Sequence, residues 1–81
     1  MTKIEKLLDK LIQSSEKLYY REIEKILKYI GFTKIQAKGS HIKFKYAKQN
    51  IDIIIPIHNN DCKNFYKKLT AKIIQNIINN P

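Results

Sequence analysis

Residues 31–57 read GFTKIQAKGSHIKFKYAKQNIDIIIPI, and within this stretch the apolar residues stop recurring at helical spacing and begin to alternate. Successive side chains of a strand point to opposite faces, so alternation marks strands. It predicts them at about 33–38, 41–47 and 51–57, joined by links short enough to make an antiparallel meander. Parity assigns Ile35, Ala37, Ile42, Phe44, Tyr46, Ile51, Ile53, Ile55 and Ile57 to an apolar face that helices must cover. The opposite face collects Lys34, Gln36, Lys38, His41, Lys43, Lys45 and Asp52, with Ile54 as an apolar exception. Pro56 has no amide donor, which suits the edge position that the third strand of a meander occupies.

Working outward, Gly31 stands where a helix C-cap wants a residue free to take positive φ. It closes a helix predicted at about 20–30, with Ile23, Ile26, Leu27 and Ile30 on one face, and Phe32 packs back onto it. An earlier helix, about 2–13, carries Ile4, Leu7, Leu8, Leu11 and Ile12 at helical spacing and ends at Ser14 and Ser15. After the strands, Asp61 is placed to cap a last helix at about 62–79, with Phe65, Tyr66, Leu69, Ile73, Ile74 and Ile77 as its buried stripe. The expected architecture is α+β, in the order α-α-β-β-β-α: a three-stranded antiparallel sheet with helices on one face.

At 81 residues the chain is expected to form one domain with a single core. The first dozen residues interleave Lys3, Lys6 and Lys10 with Glu5 and Asp9, unlike the unbroken apolar segment of a secretory signal, and no apolar run is as long as a membrane span. The single cysteine, Cys62, cannot form an internal disulfide, and a cytoplasmic location is expected. His58, Asp61 and Cys62 are three potential ligands without a fourth, too weak a set for a metal site, so neither metal nor cofactor is expected.

Net charge is +9, unevenly spread. Residues 1–25 hold six basic and five acidic side chains; residues 26–81 hold ten basic ones against Asp52 and Asp61 alone. A concentrated positive field attracts polyanions, nucleic acid first, then an anionic membrane or an acidic protein. A solvated lysine-rich surface is the plainer reading of the same charge.

Four features then occur together: Gly31-Phe32 at a helix end, Lys38-Gly39-Ser40-His41 followed by Phe44, Ile55-Pro56-Ile57-His58 closing the third strand, and a C-terminal helix. This combination resembles the HicA family of messenger-RNA-cleaving toxins from type II toxin–antitoxin systems. The resemblance covers about residues 20–78, and residues 1–18 read as an additional N-terminal helix and linker. It implies a double-stranded-RNA-binding-like fold, endoribonuclease activity on mRNA without a metal, and inhibition by a HicB-type antitoxin. Carried over by position, His41 is the catalytic histidine, and Gly39 with Ser40 shapes the turn that presents it. The sequence departs from the family in having Ile42 where many members repeat a histidine. It also has Asn59-Asn60-Asp61-Cys62 where many carry a more basic stretch.

Metal-free cleavage of an RNA phosphodiester needs a base near the 2′-hydroxyl, an acid near the leaving oxygen and cations on the phosphate. Histidine suits the proton work because its unperturbed pKa of about 6.5 populates both forms near neutrality. Lys38, Lys43 and Lys45 can supply cations, and Gly39 lets backbone approach the phosphate. One histidine cannot be acid and base in the same step, so either a lysine or water completes the reaction or the rate is low. His58, beside Asn59 and Asn60, reads as a turn or surface residue, with a phosphate contact as its other use. Lys63, Lys67 and Lys68 read as phosphate grips on the last helix. Two rival functions share these features: a non-catalytic double-stranded-RNA-binding module, which has no need of His41, and a basic adaptor for an acidic protein.

Overall fold

A computed structural model describes residues 2–81. Helix α1 spans Lys3–Ser14, α2 spans Tyr20–Ile30 and α3 spans Asn64–Asn79; the strands are β1, Thr33–Gln36, β2, His41–Tyr46, and β3, Ile51–Pro56. The fold is α+β in the order α-α-β-β-β-α, with one antiparallel sheet ordered β1-β2-β3.

Each of the first two helices begins where local chemistry satisfies its free amides. Thr2 and Glu5 form a reciprocal capping box on α1, and Glu22 accepts the Tyr19 amide at 3.0 Å ahead of α2. Gly31 ends α2 with φ of 125°, and the Gly31 and Phe32 amides both return to the Leu27 carbonyl. Phe32 is buried and stacks on Tyr46 at a centroid separation of 5.0 Å, which ties the end of α2 to β2.

The core lies between the helices and one sheet face. Ile23, Ile26 and Leu27 of α2, Leu11 of α1, and Ile74 and Ile77 of α3 pack with Phe44, Tyr46, Ile53 and Ile55 from the strands. Leu18, between α1 and α2, completes it. Pro56 lies on the β3 edge as expected. Ile57 donates to Ser40, so the antiparallel alternation places the missing Pro56 amide on the side away from β2.

The structure corrects the sequence reading of β1. Thr33 and Ile35 pair with Lys45 and Lys43, while Lys34 and Gln36 pair with Phe44 and Ile42. Ile35 therefore lies on the uncovered face, and Lys34 with Gln36 on the helix side. Lys34 reaches Glu24 of α2 at 3.1 Å there. The cause is local. His41 donates to Lys38 across a Lys38–His41 turn, yet accepts from Ala37, so two residues of the first strand oppose one of the second. Without that extra residue Ile35 would face Phe44; a one-residue shift turns every side chain of the strand over.

A second correction concerns the last helix. It begins at Asn64 with Lys63 in the cap position and no side-chain cap. Its buried face is Lys67, Thr70, Ile74 and Ile77, whereas Phe65 and Leu69 are exposed. Asp61 caps α2 instead. Its Oδ1 accepts the Tyr20 and Cys62 amides, each at 2.9 Å, and its Oδ2 pairs with the buried Lys67 ammonium at 3.3 Å. Partial burial raises the Asp61 pKa, but those two amides and Lys67 outweigh it and hold the carboxyl below its ordinary value. Nearby, the Tyr20 hydroxyl donates to Glu24 at 2.6 Å. Burial pushes the Glu24 carboxyl up, but Tyr20, Lys34 and Lys28 together bring it down to about 2.

Asp61→Ala should lower stability by about 3 kcal/mol, the lower end for breaking a buried pair, because the Asp61 side chain is itself 32% exposed. Denaturant melts check this. The folded-state pKa of Asp61 is depressed, so its contribution is present above the ordinary carboxyl range and is lost as pH falls through the folded value. Asp61→Asn should accordingly flatten the acid limb of the stability curve.

Candidate functional site

The Lys38-Gly39-Ser40-His41 turn takes its shape from one residue. Gly39 has φ of 62° and Ser40 is not in the positive region, the sign pattern of a type II′ hairpin turn. The His41 amide closes it onto the Lys38 carbonyl at 3.2 Å. On one side Ala37 donates to the His41 carbonyl at 3.2 Å, and on the other Ile57 donates to the Ser40 carbonyl at 2.9 Å. His41 thus opens the central strand with its carbonyl bonded to Ala37 and its neighbour Ser40 bonded to Ile57, and its side chain is exposed.

The register describes the uncovered face row by row. His41 lies opposite Pro56; Lys43 lies between Ile35 and Ile54; Lys45 lies between Thr33 and Asp52. These β2–β3 pairs are the non-hydrogen-bonded ones, in which side chains approach most closely. Lys43 pairs with Asp52 at 3.7 Å, leaving Lys45 and Lys38 without an ion pair among the described residues. Ile35 and Ile54 are 41% and 52% exposed, so apolar surface borders the cations on both sides.

Of the residues singled out from sequence, His41, Lys43 and Lys45 share this face, and Gly39 and Ser40 form the turn at its end. Lys38 belongs to the same turn. Lys34 and Gln36 lie on the other side. Lys67 is buried against Asp61 and has no free charge to offer a phosphate; Lys63 and Lys68 are exposed. Ile35 was missed, and only the bulge reveals it. His58 and Asp61 exchange both backbone bonds across Asn59 and Asn60, whose φ values of 53° and 64° make a type I′ turn. Cys62 is buried, and desolvation raises its pKa, so it is a packed thiol and no nucleophile. A groove of about 750 Å³ between the start of α2 and the 59–61 turn has Ile42 and Ile57 in its lining, on the helix side of the sheet.

A Cβ placed on Gly39 would meet nothing within 4 Å, so the glycine is required by backbone conformation alone. Gly39→Ala should cost about 1–2 kcal/mol in a denaturant melt, with the loss confined to the hairpin in amide-exchange measurements.

No curated protein and no solved structure matches the chain. The family model described as the HicA toxin of bacterial toxin–antitoxin systems matches residues 20–75, from the first residue of α2 into α3, including the whole sheet and the Gly39–His41 turn. With more than half its length within that match, the chain belongs to the HicA toxin family.

Proposed function

We propose that this toxin is a metal-independent endoribonuclease that cleaves mRNA on the uncovered face of its sheet, with His41 as catalytic residue. The observation that carries the reading is an exposed histidine at the end of a sheet face that bears Lys43 and Lys45, held by backbone bonds inside the family-matched region. In the reaction the ribose 2′-oxygen attacks phosphorus and the 5′-oxygen leaves. His41 exchanges a proton with one of these oxygens, and Lys38, Lys43 and Lys45 hold the phosphate while its charge redistributes. The Gly39–Ser40 backbone lets the phosphate approach. Residues 20–78 form the catalytic core in this reading, with α1 and the turn after it as an N-terminal addition. The site of action is the cytoplasm, where messages are; among the described residues no helix is long and apolar enough to cross a membrane.

A toxin of this class has an antitoxin partner. We take it to be a HicB-type protein that covers the same face, because Ile35 and Ile54 offer it apolar contacts that RNA does not use, and Lys43 and Lys45 offer an acidic chain its counter-charges. The alternative of a non-catalytic double-stranded-RNA-binding module calls for free cations at the start of the last helix; Asp61 withdraws Lys67 from that role and leaves Lys63 and Lys68.

His41→Ala should lower RNA cleavage by about 10² to 10⁴ and relieve growth inhibition while leaving the melting transition and RNA binding intact. The side chain is exposed, so no cavity forms. Wild-type cleavage rates in this variant would misplace the active site. In filter binding, Lys38→Ala with Lys45→Ala should flatten the log–log salt dependence of RNA affinity by about two units, one for each phosphate no longer neutralised. A slope already near zero in the wild type would remove RNA from the proposal. Ile35→Ser with Ile54→Ser should weaken the antitoxin complex at least tenfold in calorimetric titration and leave the salt slope unchanged. Unaltered antitoxin affinity would place that partner elsewhere.

A further inference from the structure

We infer that His58 is the second proton-transfer group of the reaction, working across one phosphate from His41; this rests on the ribonuclease reading above. The β2–β3 register runs to the end of the strands: His41 lies opposite Pro56, and the Ile57 amide bonds to the Ser40 carbonyl at 2.9 Å. Backbone direction alternates normally beyond that point. Ile57 donates toward β2, whereas the His58 amide and carbonyl face outward and are both bonded to Asp61, at 2.8 and 3.0 Å. Ile57 lines the groove on the helix side, so His58 projects to the uncovered face with Pro56 and His41, and it is exposed.

His58 is therefore the diagonal neighbour of His41, one step past its direct partner, a relation that separates backbones by about 7–8 Å. Gly39 lies in the turn just ahead of His41, and nothing lies within 4 Å of a Cβ placed on it. The glycine turn thus leaves its end of the sheet face open. An acid and a base that flank one phosphate must each come within about 3 Å of their own oxygen, and this spacing accommodates the phosphate between them.

An exposed surface turn ordinarily needs no buried anchor, yet this one has one. The backbone of His58 is clamped to Asp61, whose carboxylate takes the Tyr20 and Cys62 amides and the buried Lys67 ammonium. Two asparagines held in the left-handed region keep the turn to two residues. The result is a histidine whose backbone amide and carbonyl are both bonded, as those of His41 are. In the cleavage step the 2′-oxygen forms its bond to phosphorus and passes its proton to one imidazole. The bond from phosphorus to the 5′-oxygen breaks, and the other imidazolium protonates that oxygen. The products are a 2′,3′-cyclic phosphate and a 5′-hydroxyl, with no oxidation or reduction.

The test compares wild type, His41→Ala, His58→Ala and His58→Gln on an RNA oligonucleotide and on the four ribonucleoside 3′-(4-nitrophenyl phosphates). Nitrophenolate leaves without protonation, so the general acid becomes dispensable on these esters while the base does not. Both His58 variants are expected to lose about 10² to 10⁴ in RNA cleavage, with unchanged melting and RNA binding. One member of the His41→Ala and His58→Ala pair is expected to return close to the wild-type rate on the esters, a recovery that a merely structural role would not produce. If His58→Ala and His58→Gln cleave RNA at the wild-type rate while His41→Ala is inactive, the role of His58 is overturned and the His41 reading stands. If both histidine variants are impaired on RNA and neither recovers on the esters, the acid–base pairing is overturned. A fully active His41→Ala, or a wild type that cleaves neither substrate, overturns the ribonuclease reading and with it the role of His58.

Discussion

One carboxylate ties together the parts of this molecule that local sequence would leave loose. Asp61 receives the first amide of α2, the amide of its neighbour Cys62 and the ammonium of Lys67 from α3, so that helix start, turn and last helix meet at one side chain. Hydrogen bonds to a charged group contribute more than neutral ones, about 1.5–3 kcal/mol each. The buried Lys67 has no other ion-pair partner among the described residues, which makes the arrangement mutually dependent: the lysine tolerates burial because Asp61 is there, and Asp61 is fixed because three donors converge on it. The exposed end of β3, and every residue that it presents, depends on this point.

The opposite end of the site depends on backbone alone. His41 is held by its own amide and carbonyl and by the bond from Ile57 to Ser40, while its side chain takes no part in the core. In the proposed reaction chemistry and stability are thereby separated, since the histidine can be replaced without disturbing what supports it. The Gly39 turn is the exception, because its conformation is what brings Lys38 and His41 within bonding distance.

Between these ends, the bulge at Ala37 and Lys38 decides what the uncovered face is made of. It carries Ile35 to the outside, next to Lys43 and level with Ile54, and sends Lys34 inward to Glu24. A face of pure lysine would suit a polyanion only. One in which cations are bordered by exposed isoleucines also offers a protein partner desolvated contact, as a toxin that must be held inactive by another chain requires.

The elements were legible in the sequence because each rests on short-range rules. Helical recurrence placed α1 and α2 to within a residue, Gly31 marked a stop that its positive φ explains, and alternation located all three strands. The Lys38–His41 turn and the cationic character of the later chain could likewise be read from residue type and order. The faces of β2, β3 and α2 could be read too, but those of β1 and α3, and the partners of the buried polar groups, could not. Parity put Ile35 in the core because alternation carries no information about an inserted residue, and a single bulge reversed it. Hydrophobicity put Phe65 and Leu69 on the buried face of α3, yet the ion pair drew Lys67 inward, and Thr70 lies fully buried beside it on the same face. Asp61 looked like the cap of the helix that follows it and caps instead one that begins 41 residues earlier. Local preference selects the elements; which donor meets which acceptor across such separations is settled only when the chain closes on itself and a buried charge such as Lys67 has to find a partner.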